Sequence, residues 1–408
     1  MHHADMNPNR ADVLVLGGGI AGLSAAWVLG RYLPEATIGL LEQADAFSEV
    51  GAGIQLGPNA TRVLYDWGLK SALWEVAAFP LLVHARDAVS GSEKGRLPLA
   101  DRALQRYGTP YATVHRADLH RMLLERVKAH GIEGQLGQRV EQVTLTEQGA
   151  RLTTQTGVSW DSGALIACDG LWSRTREQCW SQAPAAAFTG QVAYRGMVRM
   201  AALPEDLRRS EVVVWLGRRL HAVHYPVRAG EWLNVVVVVH GDRPAEDAGW
   251  DHAATEEALF HALGPIHRDL RRALEAVPAW RLWPLFGRRP VRKAGDLVQG
   301  AVALMGDAGH PMRPYLAQGA AMALEDAWTL GRLLESRSSA AVDWPALLQR
   351  WAELRWRRCG WVQARSTRNG RIFHATGPLK WGRDLAMAVM GERLMDTPAL
   401  YAGPPFPA

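Results

Sequence analysis

The pattern of hydrophobic and polar positions changes twice along the chain. The N-terminal part alternates short apolar runs with amphipathic helical stretches, and the runs at 12–16 and 37–41 predict strands. From about 191 to 240 one apolar run follows another, separated by turn residues such as Gly217 and Gly230. Alternating strands and helices are typical of a parallel sheet covered by helices, whereas consecutive strands indicate an antiparallel sheet. The pattern therefore predicts an α/β protein with two different sheets.

The alternating pattern returns after Pro290, where the apolar segment DLVQGAVALMGDAGH is followed by the helical AAMALEDAWTLGRLLE. The first unit is therefore predicted to be discontinuous, and the antiparallel sheet is inserted into it. We place the two parts of the first unit at 11–185 and 290–370, and the inserted sheet at 186–289. A helical tail at 371–408, rich in Pro and Gly near its end, is expected at the surface.

Composition and charge narrow the class of protein. The 408 residues are 48% hydrophobic and 21% charged, which excludes a disordered, collagen-like or coiled-coil chain. The net charge of +5 comes from scattered basic residues, which argues against nucleic acid as a partner. Cys168, Cys179 and Cys359 form no CxxC pair, so a disulfide scaffold, a zinc ribbon and a dithiol redox enzyme are not expected. This cysteine usage fits a reducing cytoplasm.

The uncharged stretch at 13–30 has nearly the length of a membrane span. It contains Gly17, Gly18 and Gly19, and three adjacent glycines would break a spanning helix. The opening MHHADMNPNR also lacks the basic start and apolar run of a signal peptide. We therefore expect a buried strand followed by a buried helix, and no integral membrane span.

The same stretch contains a glycine-rich turn. Gly17, Gly19 and Gly22 stand in GxGxxG register directly after a strand and at the start of a helix, which is the context that dinucleotide binding requires. Glu42 follows at the end of the second strand, where its carboxylate can accept hydroxyl groups of an adenosine ribose. These residues predict a bound dinucleotide but do not separate NAD from FAD. Two later apolar runs end in Asp169-Gly170 and Gly306-Asp307, and each alone would also fit a plain strand-ending turn.

Taken together, these segments resemble a known family. GGGIAGL, CDGLWSRTR, and GDAGHPMRP followed by the LEDA helix resemble, in order and spacing, the three FAD signatures of the class A flavoprotein monooxygenases, the aromatic hydroxylases. FSEVGAGIQLGPNATRVL, HRADLHRML, HAVHYPV and PYLAQGA resemble the salicylate hydroxylase and 3-hydroxybenzoate 6-hydroxylase branch, to which 6-hydroxynicotinate 3-monooxygenase is closely related. The resemblance implies a p-hydroxybenzoate hydroxylase-like fold. In it, a Rossmann-like FAD-binding domain carries an inserted antiparallel-sheet substrate domain and C-terminal helices.

The resemblance also implies roles for single residues. Glu42 would bind the adenosine ribose, Arg116 would contact the cofactor near its pyrophosphate, and Asp307 would hold the ribityl chain. Asp169 and Gly170 would serve both FAD and a passing nicotinamide cofactor. The expected cofactor-binding residues are Gly17, Gly19, Ile20, Ala21, Gly22, Glu42, Gln43, Gly53, Ile54, Arg116, Asp169, Gly170, Gly306, Asp307, Pro314, Gly319 and Ala320. The chain departs from the family pattern at Ala317, where glycine is frequent, and at Ala321, where many members have Asn.

The catalytic residues are expected on the strand HAVHYPV. Side chains alternate along a strand, so His221, Val223 and Tyr225 share one face and His224 lies on the other. The resemblance selects His221 and Tyr225, together with Gln318 of the later loop. An imidazole with its ordinary pKa of roughly 6.5 is suited to take a phenol's proton, directly or through Gln318 and a water. The residues alone also fit a structural histidine, a packing tyrosine and a loop-capping glutamine.

Two further features stay open or carry a structural expectation. Arg195 fits either a partner for a substrate carboxylate or a cation at a strand edge. The tryptophan-rich WAELRWRRCGW predicts a helix that packs its aromatic stripe in the core and points its basic residues outward.

The predicted function is hydroxylation of a small phenolic acid with O2 and NADH or NADPH, through a flavin C4a-hydroperoxide. FAD is expected to be non-covalent, because none of the three cysteines lies in a recognisable flavinylation motif, and the nicotinamide cofactor is a transient co-substrate because only one GxGxxG follows a strand. The alternatives are a 6-hydroxynicotinate-type hydroxylase, a flavin amine oxidase and a flavin-binding sensor. The segment RLWPLF does not match the WxWxIP pattern of flavin halogenases. No His, Cys and carboxylate residues occur at the spacing of metal ligands, so no metal is expected. The sequence does not decide whether the protein forms a homodimer.

Overall fold

The computed structural model describes residues 9–47, 52–243, 251–337 and 341–404. Residues 48–51 of the FSEVGAGIQLG segment, among them Gly51, lie outside the described residues, as do the last four residues of the predicted tail.

The strands follow the predicted pattern and add several short ones. Within the described ranges they are β1 Arg10–Leu16, β2 Ile38–Leu41, β3 Gly53–Leu56, β4 Leu82–Asp87, β5 Glu93–Pro98, β6 Ala112–His115, β7 Gly134–Gln135, β8 Val140–Thr146, β9 Gly149–Thr154, β10 Ser159–Ala167, β11 Ala187–Arg199, β12 Glu211–Gly217, β13 Leu220–Val227, β14 Trp232–His240, β15 His252–Ala254, β16 Trp280–Gly287, β17 Val298–Gln299 and β18 Val302–Leu304.

The helices cover the first sheet, pack on one face of the second sheet and form the C-terminal part. They are α1 Ile20–Tyr32, α2 Pro58–Asp66, α3 Lys70–Val76, α4 Ala100–Tyr107, α5 Arg116–Ala129, α6 Arg174–Cys179, α7 Glu256–Leu263, α8 Arg268–Glu275, α9 Gly319–Glu335, α10 Trp344–Phe373, α11 Gly377–Met390, α12 Glu392–Met395 and α13 Pro398–Tyr401. None of the described helices has the length and apolar character needed to cross a membrane.

The first sheet is mostly parallel and has the order β17-β18-β10-β1-β2-β7, with β9 and β8 continuing from β10. β1 runs parallel to both β10 and β2, as the alternating pattern predicted. On one face α1 packs against α5 and α9, and side chains such as Val13, Leu23 and Leu324 form the main core there. The opposite face packs against the β8–β9 hairpin through Leu14 and Leu152. The predicted α/β class is confirmed.

The second sheet has the order β15-β16-β11-β14-β13-β12-β4-β5. The pairs among β11 to β14 are antiparallel, as predicted. The predicted range 186–289 does not contain β4 and β5, which come from the preceding part of the chain. β4 pairs in parallel with β12, from Glu211 opposite Leu82 to Leu216 opposite Asp87. Without this pairing β12 would be an edge strand with unpaired backbone groups, which folded proteins avoid.

The C-terminal tail is only partly a surface element. Along α11, Trp381, Leu385 and Val389 are exposed on the outer side, as expected. Arg383 and Met387 are buried, and α11 packs against β5. The tail therefore covers the outer strand of the second sheet.

Of the predicted aromatic stripe of α10, Trp351 is buried as expected, but Trp361 is exposed, and the expectation that the basic residues face outward is wrong for Arg355. Trp351 and Arg355 are both fully buried. The Arg355 guanidinium bonds Asp326 Oδ1 at 2.9 Å and Glu325 Oε2 at 3.0 Å, and both carboxylates are fully buried on α9. A helical pattern reports which side of a helix is buried, but not that buried carboxylates of another helix require a cation there.

Three metal-ligand residue types also meet at this place. His310, Asp326 and Cys359 bring their ligand atoms within 4.8 Å of one another. Asp326 Oδ2 already accepts hydrogen bonds from His310 Nε2 at 2.6 Å and from the Gly306 N–H at 3.0 Å. Burial alone would lower the pKa of His310, but the Asp326 carboxylate raises it well above its ordinary value. The positive charges in this cluster are therefore supplied by His310, Arg355 and Arg358, whose guanidinium bonds both oxygens of Glu325 at 2.6 and 2.7 Å.

We expect Arg355→Met to lower the free energy of unfolding by about 3–5 kcal/mol, because it removes the fully buried guanidinium that bonds both Asp326 and Glu325. Urea denaturation measures this change. The matched control is Arg350→Met on the same helix, because the Arg350–Glu353 pair is exposed and its closest atoms are 3.8 Å apart. The control should stay within about 0.5 kcal/mol of the parent protein. Equal effects of the two changes would contradict a special role for the buried cluster.

Candidate active site

A cavity of about 380 Å³ lies between the two sheets. One wall is made of β11, β13, β14 and β16 of the second sheet, and the other of the first turns of α1 and α9 with the preceding loops. Most of the predicted site residues line it, namely Gly19, Ile20, Ala21, Gly53, Ile54, Arg116, Gly170, His221, Tyr225, Gly306, Asp307, Pro314, Gln318, Gly319 and Ala320. The remaining predicted residues, Gly17, Gly22, Glu42, Gln43 and Asp169, do not line the cavity.

Gly17 and Gly22 are required by the backbone conformation and the close packing of the glycine-rich turn. Gly17 has a φ of +102°, which disfavours a side chain. A Cβ on Gly22 would lie 1.7 Å from the Gly17 carbonyl oxygen, so only glycine lets α1 approach β1 this closely. These are the roles that the GxGxxG pattern predicts for its first and third glycines.

Glu42 lies beside the glycine-rich turn. Its carboxylate accepts the Gly18 N–H at 2.6 Å and the Ala44 N–H at 2.8 Å, one bond at each oxygen. A carboxylate oxygen can accept more than one hydrogen bond. The two backbone bonds therefore fix Glu42 in an orientation that still allows it to accept ribose hydroxyls.

Asp169 does not line the cavity, and one of its carboxylate oxygens is engaged within the protein. Its Oδ2 accepts the N–H and the hydroxyl of Thr175, both at 3.1 Å, and so holds the first turn of α6. Burial raises the pKa of Asp169. Its neighbour Gly170 lines the cavity, so of this pair Gly170 is the residue placed to contact a ligand there.

Two helix N-termini open into the cavity. Gly19 is the N-cap of α1 and Gln318 the N-cap of α9, and neither helix has a side-chain cap. A Cβ at Gly19 or Gly319 would meet no atom within 4 Å, so a ligand can approach both backbones. Helix N-termini attract anions through their free N–H groups and the helix dipole. α9 begins at Gly319, one residue before the predicted helical segment AAMALEDAWTLGRLLE, and the residues present fit a phosphate-containing cofactor such as FAD.

The loop before α9 carries an alanine in the left-handed backbone region. Ala317 takes the left-handed conformation, with φ 52° and ψ 39°, which glycine adopts more easily. Ala321 is fully buried inside α9 and does not line the cavity. The two departures from the family pattern therefore leave the loop and the helix start in place, at the cost of backbone strain at Ala317.

Asp307 opens into the cavity from the turn after β18. Its carboxylate is exposed to the cavity but surrounded by protein on the other sides, and this loss of water raises its pKa. The turn is held from behind, because the Gly306 N–H donates to Asp326. Asp307 is thus a fixed hydrogen-bonding group aimed at a ligand.

The strand β13 places its side chains as the alternation predicts. His221, Val223 and Tyr225 line the cavity, whereas His224 accepts a hydrogen bond from Trp215 Nε1 at 3.1 Å. The Tyr225 hydroxyl donates to the Gly53 carbonyl at 2.8 Å, which joins the two walls. The Gln318 carbonyl oxygen accepts from Asn59 Nδ2 at 2.9 Å, so the Gln318 amide is held at the cavity from behind.

The expectation of an ordinary pKa for His221 is wrong. Burial, followed by the neighbouring His374, lowers the pKa of His221 well below its usual value. His221 Nδ1 lies 2.8 Å from His374 Nε2. His221 is therefore neutral at physiological pH, and the motif did not reveal its partner because His374 lies far away in sequence at the end of α10.

Arg195 is placed on β11, which lies inside the sheet between β16 and β14, so the strand-edge alternative is wrong. Its guanidinium stacks on Trp283 with 4.1 Å from Cζ to the ring centroid. Its Nε is buried and has no hydrogen-bond partner among the described residues. Burial lowers its pKa to about 10, which still leaves it charged at neutral pH. Sequence reasoning did not find the contribution of Trp283, because the stacking is a contact between strands.

The sequence matches the family model described as FAD binding domain over residues 10–353, and the chain belongs to this family. It is 37% identical to a 3-hydroxybenzoate 6-hydroxylase of Polaromonas naphthalenivorans (strain CJ2) over 96% of this chain and 95% of that protein. It is 33% identical to a 6-hydroxynicotinate 3-monooxygenase of Bordetella bronchiseptica over 79% and 82% of the two chains. A solved salicylate hydroxylase substrate complex superposes with a TM-score of 0.79 and 27% identity, covering 97% of each chain.

These comparisons confirm the resemblance stated from the motifs, and with it the p-hydroxybenzoate hydroxylase-like fold class. The chain is an FAD-dependent aromatic monooxygenase. The residue roles inside the cavity remain predictions that rest on the geometry described above.

We expect Glu42→Ala to weaken FAD binding by roughly 1.5–3 kcal/mol, because the ribose hydroxyls lose a charged acceptor. Equilibrium dialysis of the apoprotein against FAD measures the change. Glu35→Ala is the control, since Glu35 is an exposed carboxylate between α1 and β2. A variant at Glu42 that binds FAD as tightly as the control would remove Glu42 from the site.

Proposed function

We propose that the chain hydroxylates a small phenolic acid of the 3-hydroxybenzoate type, using FAD, O2 and NADH or NADPH. The observation that carries this proposal is a single cavity that contains both a desolvated cation, Arg195, and a neutral imidazole, His221. A hydroxybenzoate presents the two complementary groups, a carboxylate and an acidic hydroxyl. The names of the relatives reported above support the same substrate class.

Arg195 is placed to bind the carboxylate of the substrate. Arg195 is positively charged, lines the cavity and has one face covered by Trp283. Buried charges are costly unless they are paired, and a guanidinium matches a carboxylate with two parallel hydrogen bonds. Arg195 is therefore the residue that we assign to the substrate carboxylate. A protonated amine would be repelled by it, which argues against the amine oxidase alternative.

The phenolic hydroxyl of the substrate needs a group that can take its proton. Bound FAD would supply the activated oxygen, and the protein must make the ring electron-rich by removing the phenol's proton. His221 is the neutral base on the cavity wall, and Gln318 lines the same cavity with an amide group that can orient the substrate or a water. The Tyr225 hydroxyl is committed to the Gly53 carbonyl, so we assign Tyr225 to holding the two walls together.

A hydroxypyridine carboxylate or salicylate carries the same two groups in another arrangement. We expect the holoenzyme to couple NADH or NADPH oxidation to oxygen uptake with 3-hydroxybenzoate in preference to salicylate and to 6-hydroxynicotinate. Oxygen and peroxide electrodes with product analysis measure coupling across this set. Arg195→Met should raise KM for the preferred acid about 100-fold, because a charged hydrogen bond of about 1.5–3 kcal/mol is lost.

The matched control is Arg199→Met on the same strand. Arg199 also stacks on a tryptophan, Trp232 at 4.8 Å, but it is exposed and does not line the cavity. Oxygen uptake stimulated by amines alone, or by no aromatic acid, would refute the proposed function. An unchanged KM for Arg195→Met would refute the carboxylate assignment only.

We expect His221→Ala to leave NADH or NADPH oxidation intact but to slow product formation by about 10²–10⁴, the usual cost of losing a positioned base. Slow hydroxylation leaves time for oxygen to be released as hydrogen peroxide, so the ratio of peroxide to product should rise. His224→Ala on the opposite face should lower stability through the unpaired Trp215 N–H and leave that ratio unchanged. Normal coupling in His221→Ala would transfer the role of base to another group.

A further inference from the structure

Within the described residues three arginines line the cavity, and two of them already have an assigned partner. Arg116 is expected at the pyrophosphate of FAD, and Arg195 is assigned to the carboxylate of the aromatic acid. The third is Arg313, in the loop before α9. The Arg313 guanidinium forms no hydrogen bond or ion pair with any residue that the structure describes. It is therefore available to an anion that enters the cavity from solvent.

Arg313 lies where the strand β16 ends. A Cβ on Gly287, the last residue of β16, would stand 3.6 Å from Arg313 Nε, so the glycine leaves room for the guanidinium there. Arg195 lies against Trp283 of the same strand. Four residues of a strand, the separation of positions 283 and 287, span about 13 Å. The two cations therefore occupy different positions along one cavity wall.

An exposed aromatic ring adjoins this end of the cavity. Trp172 is 53% exposed, and its ring meets that of Phe286, the residue before Gly287, with 4.8 Å between the ring centroids. Arg243 also approaches the Phe286 ring, at 5.4 Å from Cζ to the centroid. Trp172 and Arg313 thus lie on the two sides of the same strand end, on a rim to which Arg243 adds positive charge.

The turn that carries Trp172 is held in place by an arginine. Arg288 donates hydrogen bonds to the carbonyl of Leu171 at 3.1 Å and to the carbonyl of Pro184 at 2.8 Å. Gly170, in the same turn, lines the cavity. A rigid, exposed indole beside a cavity is a ready surface for stacking a planar ring.

We propose that Arg313 and Trp172 form the docking site for the adenosine and pyrophosphate part of the nicotinamide cofactor. This inference rests on the function proposed above. The reactants of that function carry three anionic groups, which are the pyrophosphate of FAD, the carboxylate of the aromatic acid and the pyrophosphate of NADH or NADPH. The cavity offers one arginine to each of them.

The chemistry of the rim matches this part of the cofactor. A guanidinium binds phosphate oxygens through two parallel hydrogen bonds, and adenine has a flat face that stacks on an indole. The nicotinamide cofactor has to leave after each reduction of the flavin, and a site at the rim allows it to do so while the aromatic acid stays inside. The position of Gly170 between Trp172 and the cavity leaves a path without a side chain for the rest of the cofactor.

The test measures the binding of ADP-ribose to the oxidised holoenzyme by isothermal titration calorimetry. ADP-ribose contains the adenosine and the pyrophosphate but no nicotinamide, so this readout requires neither flavin reduction nor an aromatic acid. Arg313→Met and Trp172→Ala should each weaken binding about 5- to 100-fold, because a charged hydrogen bond or a base stack is lost. Trp172→Phe keeps an aromatic face and should restore most of the affinity.

Arg393→Met is the control and should bind ADP-ribose as the parent protein does. Arg393 is an exposed arginine of α12, which packs against β5 at the opposite edge of the second sheet from β16. Steady-state kinetics supply the second readout. Arg313→Met should raise KM for the nicotinamide cofactor and leave KM for 3-hydroxybenzoate unchanged, because the two anions bind different arginines.

ADP-ribose that does not bind to the parent holoenzyme would overturn the proposal, as would unchanged binding in either Arg313→Met or Trp172→Ala. A raised KM for the aromatic acid alone would assign Arg313 to the substrate and also overturn it. Trp172 is a surface residue, so its variants decide the matter even if Arg313→Met fails to retain FAD. If no aromatic acid stimulates oxygen uptake, the proposed function fails, and ADP-ribose binding still decides the docking site.

Discussion

The walls of the cavity depend on two adjacent buried carboxylates of α9, Glu325 and Asp326. The Asp326 carboxylate accepts the backbone N–H of Gly306 and so holds the turn. The Glu325 carboxylate accepts a hydrogen bond from Asn59, which also donates to the Gln318 side chain. Two carboxylates in a protein interior are tolerated only with matching cations and satisfied hydrogen bonds. The cations are arginines of α10 and His310, which follows the turn. The ion pairs between these cations and the two carboxylates therefore fix the positions of the turn, the loop before α9 and α10 relative to one another.

The parts of this protein that follow from local sequence were predictable. The glycine-rich turn, its strand and its helix are contiguous, and Gly17 and Gly22 are required by the positive φ of the turn and by the close approach of α1 to it. The face of β13 that carries His221 follows from strand alternation alone. The start of α9 at Gly319 follows from a motif of a few residues. In these cases one short segment contains both the functional residues and the residues that determine the backbone geometry around them.

The features that sequence reasoning missed are contacts between distant segments. The burial of Arg355 depends on carboxylates of another helix. The low pKa of His221 depends on its burial in the assembled protein and then on a histidine at the end of α10. The position of Arg195 inside the sheet depends on which strands pair with β11. Periodicity describes how one element is divided between inside and outside. It contains no information on which polar group of a second element will be buried against the first. These buried pairs can therefore be identified only once the fold is known.

The parallel pairing of β4 with β12 has a consequence for how the molecule is built. The two strands are joined by a long length of chain, which includes β7 to β10 of the first sheet, so the loop closed by this contact is large. Contacts of high sequence separation pay their entropic cost before they gain stability, and they slow folding. During synthesis the β4–β5 hairpin emerges first and has to wait for its partner. The segment 186–289 is therefore not an autonomous folding unit, because its sheet is completed by chain made much earlier.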